Sequence, residues 1–361
     1  MKRAAVVNVF LAVFVSVASV GAGAASQRTF VAPTGLDTNP CTLVAPCRGF
    51  ATALALTLAG GEIVVLGSAG YGAVTIDRSV AIVAPPGLYA GISVSAGDGI
   101  TIATGGVDVT LKGLTLTGLG GGDGIKMLNG ARLSIAGCEI SGFVQNGIDV
   151  QATGSDVFIA DTIVRDNGQS GIYLQGALNA TLERIRATGN TYGVYARAGP
   201  VVVLRDSTVS RNAQQGVAVE SLAAGITTRM VVEAVTASAN GAQGMMFFSG
   251  LGGTVNGGAQ RSLSTGNGAQ GIAVRTSYNG SGFGDLEFVD NVVRDNAQEG
   301  IVFTGLNSTV VVSGNTIVRN AGVGLYRVNG GSGAIQSRST NTIYGNVGGN
   351  INDPLTFLPA Q

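Results

Sequence analysis

Near-copies of one phrase recur along this chain: RDSTVSRNAQQGVAV at 205–219, VDNVVRDNAQEGIVF at 289–303 and SGNTIVRNAGVGLY at 313–326. Each places an Asn four residues before a Gly that is followed by an aliphatic side chain. Gly followed by an aliphatic residue or Met occurs at Gly124-Ile125, Gly147-Ile148, Gly171-Ile172, Gly193-Val194, Gly216-Val217, Gly244-Met245, Gly271-Ile272, Gly300-Ile301 and Gly324-Leu325, at intervals of 22 to 29 residues. A period of this size means one short unit stacked on copies of itself, because a single unit cannot bury its own apolar face.

The units align on Asn167, Asn190, Asn212, Asn240, Asn267, Asn296 and Asn320, with Asn346 continuing the series. Three positions before the Asn stand Val164, Ala187, Val209, Ala237, Ser264, Val293, Ile317 and Ile343. Eight before it stand Ile159, Leu182, Leu204, Val232, Ala259, Phe288 and Val312. After the Gly, one apolar column begins at Ile148 and Ile172, and another begins two residues further on, at Val150 and Leu174. Apolar residues at period two are strands. The 58 Gly, the many β-branched residues and the mere 8 Pro suit short strands joined by tight turns. A leucine-rich repeat would need a Leu consensus, and a propeller blade about 40 residues. A parallel β-helix remains.

Through its NGxxGIxV phrases the sequence resembles the right-handed parallel β-helix superfamily typified by pectate lyases, over roughly residues 60–350. The resemblance implies an all-β, single-stranded, right-handed parallel β-helix, a solenoid with a short N-terminal capping helix. The Asn series then reads as a ladder: Asn tolerates a left-handed turn, and its amide can donate and accept along the stack. The following Gly reads as backbone freedom where the turn re-enters a strand. A second column, five positions earlier, runs from Cys138 through Thr162, Ile185, Ser207, Val235 and Ser262 to Asn291, Asn315 and Asn341. Its small mixed residues point inward, which makes Cys138 a buried thiol. The stretch CRGFATALALTLAGG (47–61) has Phe50, Leu54 and Leu58 at helical spacing and reads as the capping helix, ended by Gly60-Gly61.

The expected divisions are a signal peptide at 1–24, an N-terminal cap at 25–60, coils at 61–350 and a C-terminal cap at 351–361, where Leu355, Phe357 and Leu358 stand among two Pro. Lys2 and Arg3, an apolar run and Ala22-Gly23-Ala24 form the export signal, an uncleaved membrane anchor being the alternative. Export to the periplasm, the cell surface or the medium permits a disulfide between Cys41 and Cys47; two reduced thiols are the other reading. With 21 basic and 21 acidic residues and no basic block, nucleic acid is not an expected partner. No membrane span is expected after cleavage, no metal or other cofactor is implied, and the chain reads as a monomer.

Outward columns carry the remaining information. Glu183, Arg205 and Glu233, and beside them Asp161, Arg184 and Asp206, alternate in sign on successive coils, as a register-fixing charge lattice would. Three consecutive coils lengthen at 220–229, 249–258 and 275–284. Long turns stacked side by side would wall a groove. Beside that wall fall Tyr173, Tyr195, Arg197, Glu220 and Arg275, with Asp149 next to the two Tyr. Tyr faces with Arg and carboxylates suit sugar rings and their substituents, so a polysaccharide is the expected partner and these five residues the candidate binding site.

The resemblance also implies catalytic signatures that are missing. Hydrolases of that superfamily use clustered Asp with a His, and this chain has no His. Its lyases use Ca²⁺-binding Asp residues and an Arg-x-Pro-x-x-Arg phrase, and no Asp cluster or such phrase is visible. Lys112 and Lys126 are the only Lys after the leader, a poor supply for a Lys-based lyase. The expectation is therefore an exported β-helix that binds glycan or serves as a surface or periplasmic structural protein, with no catalytic residue assigned; a carbohydrate-active enzyme, polysaccharide lyase or glycoside hydrolase, is the alternative.

Overall fold

The computed structural model describes residues 25–276, 282–305, 310–328, 333–338, 340–352 and 356–357. The proposed leader, 1–24, lies outside them. The described chain winds into a parallel β-helix, and each full coil gives one strand to each of three sheets of 14, 12 and 11 strands. One coil shows the plan: Arg132–Ala136 in the first sheet, Glu139–Ser141 in the second, Ile148–Val150 in the third, then Asp156–Ala160 back in the first. Neighbouring coils stack in strict register, Ile135 lying between Leu111 and Ile159. The apolar columns read from the sequence all face the axis, and one continuous buried core runs from Val31 to Ile335.

The corners differ from expectation in two respects. The left-handed residue is not the ladder Asn but the one before it: Asp166, Gly189, Arg211, Ala239, Gly266, Asp295, Arg319 and Gly345 all have φ between 53° and 72°. That placement turns the chain so that the next residue, the Asn, points inward. Nor does the Gly after the Asn supply positive φ. It supplies space: a Cβ at Gly216 would lie 2.7 Å from Asn240 Nδ2 and 2.7 Å from the Gly244 carbonyl oxygen, and Gly271 is equally confined by Asn296 and Gly300. Asn and Gly recur together because the amide of one coil occupies the volume that a side chain on the coil before it would need.

The ladder is directional. Asn167 donates its backbone N–H (3.0 Å) and its Nδ2 (2.9 Å) to Asn190 Oδ1, and Asn190, Asn212, Asn240, Asn267, Asn296 and Asn320 each donate the same pair to the next Asn, ending at Asn346. Asn291, Asn315 and Asn341 repeat this at the other corner. Cys138 sits buried in that second column, and burial pushes its thiol up to about 11.

Helix Phe50–Ala55 buries Phe50, Ala53 and Leu54 at the N-terminal end. It is shorter than its spacing suggested. Leu58 is exposed, and strand Thr57–Val65 runs straight through Gly60-Gly61, pairing with Ser26–Val31, so the two Gly do not end the segment. A disulfide joins Cys41 and Cys47, whose Cα atoms are 4.6 Å apart. At the other end Thr356–Phe357 is the last strand of the first sheet, while 353–355 and 358–361 lie outside the described residues. No described helix is long and apolar enough to cross a membrane.

The three long turns are also shorter than expected. Their extra residues lengthen strands: Val217–Ser221 leads to Thr227–Glu233, and Met245–Ser249 to Thr254–Gln260. Only 222–226 and 250–253 remain as turns, and 277–281 of the third lies outside the described residues. The charge lattice forms in part. Arg184 bridges Asp161 (2.6 Å) and Glu183 (2.6 Å), and Arg205 also binds Glu183. Glu233 pairs with Arg261 instead of continuing the column, and Asp206 makes no ion pair among the described residues.

Candidate functional site

Strands Ile125–Met127, Ile148–Val150, Ser170–Gln175, Tyr192–Arg197 and Val217–Ser221 are neighbours in the third sheet. In each, two buried apolar residues flank one that faces out. Register therefore stacks Lys126, Asp149, Tyr173, Tyr195 and Ala218 on the outer face. Two residues further on, Gln175, Arg197 and Glu220 form a parallel column. Chemistry-bearing side chains from five coils thus share one strip.

At its N-terminal end Lys126 Nζ lies 2.7 Å from Asp123 Oδ2, 3.9 Å from Asp98 Oδ2 and 4.0 Å from Asp149 Oδ2. Asp123 is fully buried and Asp149 nearly so. The other oxygen of Asp123 accepts Asn146 N (2.8 Å) and Nδ2 (3.1 Å), and Asp98 Oδ1 accepts the Asp123 N–H (2.9 Å). The ammonium fills the centre of this carboxylate set; among the described residues no group of three or more His, Cys, Asp or Glu has a metal-holding geometry. The hydrogen bond to Asp123, with the other carboxylates nearby, holds the Lys126 ammonium above its ordinary pKa. Burial, reinforced by the charge of Asp123, pushes Asp149 up to about 6 against the opposing pull of its hydrogen bond from Gln151 and of Lys126.

That shift has a sign. A carboxylate raised in the fold binds its proton more tightly than in the unfolded chain, where its pKa is about 3.9. Its contribution to stability is full below about pH 4 and is lost as pH rises through about 6. Asp149→Asn is expected to raise stability by about 1–2 kcal/mol at pH 7.5 and to leave it nearly unchanged at pH 4. Urea titrations of both proteins at the two pH values check this; a difference that ignores pH would contradict it.

The next two coils carry aromatic rings. Tyr173 and Tyr195 meet edge to face with centroids 5.3 Å apart, and Tyr192 joins Tyr195 at 5.0 Å. The Tyr195 hydroxyl donates to Glu220 Oε2, and the Tyr173 hydroxyl to Gln175 Oε1. Arg197 Nε lies 4.0 Å from the same Glu220 oxygen. Burial raises both Tyr pKa values, and the Glu220 carboxylate raises that of Tyr195 further. The three rings, Arg197, Asn146, Gln169, Ser170 and Thr191 line a cavity of about 250 Å³.

Of the five residues chosen from sequence, Tyr173, Tyr195, Arg197 and Glu220 come together in this way. Arg275 does not. It lies two strands beyond Glu220, donates to Gln270 Oε1 at 3.0 Å, and lines a different cavity of about 290 Å³ with Glu299, Val302, Thr304 and Tyr326. Between the two runs a file of hydrogen-bonded amides, Gln215 to Gln243 (2.7 Å) and Gln243 to Gln270 (2.9 Å). Sequence reasoning missed Asp98, Asp123 and Tyr192 and gave Lys126 no place in the site: the coiling gathers three Asp around this Lys, in an arrangement without metal-holding geometry. The signal was present. Asp98-Gly99-Ile100 and Asp123-Gly124-Ile125 are the same phrase one coil apart, and the second residue after Gly is the single break in each apolar strand.

Among solved structures, the chain is similar to the A-module of mannuronan C-5 epimerase AlgE4 from Azotobacter vinelandii: TM-score 0.68, 16% identity, 83% of this chain and 91% of that one covered. It is similar also to the periplasmic alginate epimerase AlgG, with TM-score 0.59, 9% identity and coverage of 83% and 76%. For pectate lyase Pel9A the TM-score is 0.51, at 13% identity and coverage of 90% and 80%. At such identities the likeness is one of fold. No curated protein sequence matches. The family model described as right handed beta helix region matches residues 98–250 and 179–347, which together exceed half of the chain. With its stacked parallel coils and ladder corners, this chain belongs to the right-handed β-helix family.

Proposed function

We propose that this chain is an exported polysaccharide-binding β-helix that holds a glycan on the outer face of the third sheet. The observation that carries this reading is the cluster of Tyr173, Tyr192 and Tyr195 around one cavity, with Arg197 and Glu220 at its edge. Ring faces stack on pyranose rings, the Glu220 carboxylate accepts hydroxyls, and a guanidinium forks onto a carboxylate substituent. The fold neighbours named for acting on alginate and pectate support a uronate-bearing polymer as the class to try first. The leader-like N-terminus and the Cys41–Cys47 disulfide support export. Replacing Tyr195 and Arg197 together by Ala is expected to weaken binding of a uronate oligosaccharide about tenfold or more, about 1.4 kcal/mol. Calorimetry measures it, with circular dichroism to verify the fold; an unchanged affinity would move the site elsewhere.

A second reading, an enzyme that modifies the glycan, is favoured by Asp149. Its raised pKa, beside Lys126 and one strand from Tyr173, gives a group that exchanges a proton near neutral pH. Release of reducing or unsaturated ends, or a change in uronate stereochemistry measured by NMR, separates the readings. Catalysis lost in Asp149→Asn with binding retained supports the enzyme; binding without turnover supports the first reading.

A further inference from the structure

A second, chemically different site lies on the second sheet. There Arg186, Thr208, Ser210, Arg211, Ser238 and Ala239 line a cleft of about 380 Å³ with no carboxylate among them. Arg186 opens strand Arg186–Thr188, and Arg211 follows the end of the neighbouring strand Thr208–Ser210. Both Arg residues line the cleft together with the three hydroxyl side chains. Most described Arg side chains on the coils are neutralised by a carboxylate, as in Arg165–Glu139, Arg184–Asp161, Arg205–Glu183 and Arg319–Asp295. Arg186 and Arg211 make no ion pair among the described residues.

The columns explain why. Arg211 occupies the left-handed corner position that two coils further on is filled by Gly266 and then by the bonded pair Asp295 and Arg319. Its own column neighbours are Gly189 and Ala239, which bring no charge and leave space beside the guanidinium. Arg186 stacks between Ile163 and Thr208. Among the described residues the hydroxyls of Thr208, Ser210 and Ser238 make no hydrogen bond, so three donors line the cleft beside two cations without an ion pair. Two cations that line one cleft without a carboxylate make its potential positive. A site rich in donors and positive charge, with no acceptor carboxylate, selects an anion that accepts from several directions at once.

We propose that this cleft binds a tetrahedral oxyanion, a sulfate or phosphate group, free or carried as an ester on a glycan. Guanidinium forks and hydroxyl donors match its oxygens. The site is independent of the tyrosine cluster, and its test does not depend on that reading. Inorganic sulfate and phosphate are titrated into the full chain at low ionic strength, where exposed charges are least screened, against sodium chloride at matched ionic strength. Sulfate or phosphate should raise the melting temperature beyond the chloride control. Arg186→Ala with Arg211→Ala should weaken binding at least tenfold, and the two Lys variants should retain part of it, while Tyr195→Ala leaves it unchanged. If the double variant folds poorly, Arg186→Gln and Arg211→Gln are tested singly. A sulfated polysaccharide binding more tightly than free sulfate would identify an ester, and equal binding the free ion. A response to sulfate no larger than to chloride, equal binding of acetate, or an unchanged affinity in the folded variants would overturn the assignment.

Discussion

Replacing Lys126 by Met is expected to cost about 3–5 kcal/mol at pH 7.5, since removing one partner of a buried ion pair leaves uncompensated charge. Asp123, fully buried, would lose its 2.7 Å partner, and Asp149 and Asp98 would face it with no cation between them. The loss should shrink as pH falls toward about 6, because without the pull of Lys126 the Asp149 carboxyl takes up its proton at a higher pH than in the parent and one of the crowded charges disappears. Chemical denaturation across pH 4 to 8 measures both effects. A variant as stable as the parent at pH 7.5 would show that water, not Lys126, neutralises the cluster.

Asn296→Ala should cost about 3 kcal/mol. Asn296 Oδ1 accepts Asn267 N (3.1 Å) and Nδ2 (2.9 Å), while its own Nδ2 donates to Ser264 O (3.2 Å) and Asn320 Oδ1 (2.9 Å). Truncation strips the buried Asn267 backbone N–H of its acceptor and leaves the Ser264 carbonyl without this donor, deep between two coils where no solvent replaces them. Sulfate and glycan affinities of the folded variant should stay as they were. Melts that superimpose on the parent would mean that the amides contribute nothing net.

Periodicity two made the core legible, because inward strand residues stack on one another and are apolar on nearly every coil. The corners were harder. Asn and Gly both carry a reputation for left-handed backbone, yet here Arg211, Ala239 and Asp295 adopt it, and the Asn-Gly pairing reflects the packing of an amide of one coil against the backbone of the coil before it. That cause lies between coils and leaves no mark within one. The acidic half of the site was hidden for a related reason. The coils that hold Asp98 and Asp123 have no ladder Asn, so the alignment anchored on Asn167 onward does not cover them, although the Gly series starts at Gly124, next to Asp123. Tyr173, Tyr195, Arg197 and Glu220 lie within that period and were found. Arg275 shares the column of Arg197 and Glu220 but not their neighbourhood, since a column says what stacks and not how far along the axis.

The one-way ladder makes this protein's length adjustable in whole steps. Every coil between Asn167 and Asn346 presents the same half-bonds at its two faces: an acceptor oxygen toward the coil before it and two donors toward the coil after it. A segment such as 241–267 could be duplicated or excised and the flanking amides would still meet, with all core columns in phase, whereas one added residue within a strand would turn its apolar side outward. Each added coil would extend all three outer faces by about 4.8 Å. Recombination at the ladder can thus lengthen the surface beyond the tyrosine cluster without touching the cluster, so reach along a bound polymer and chemistry at one end of it are free to change separately.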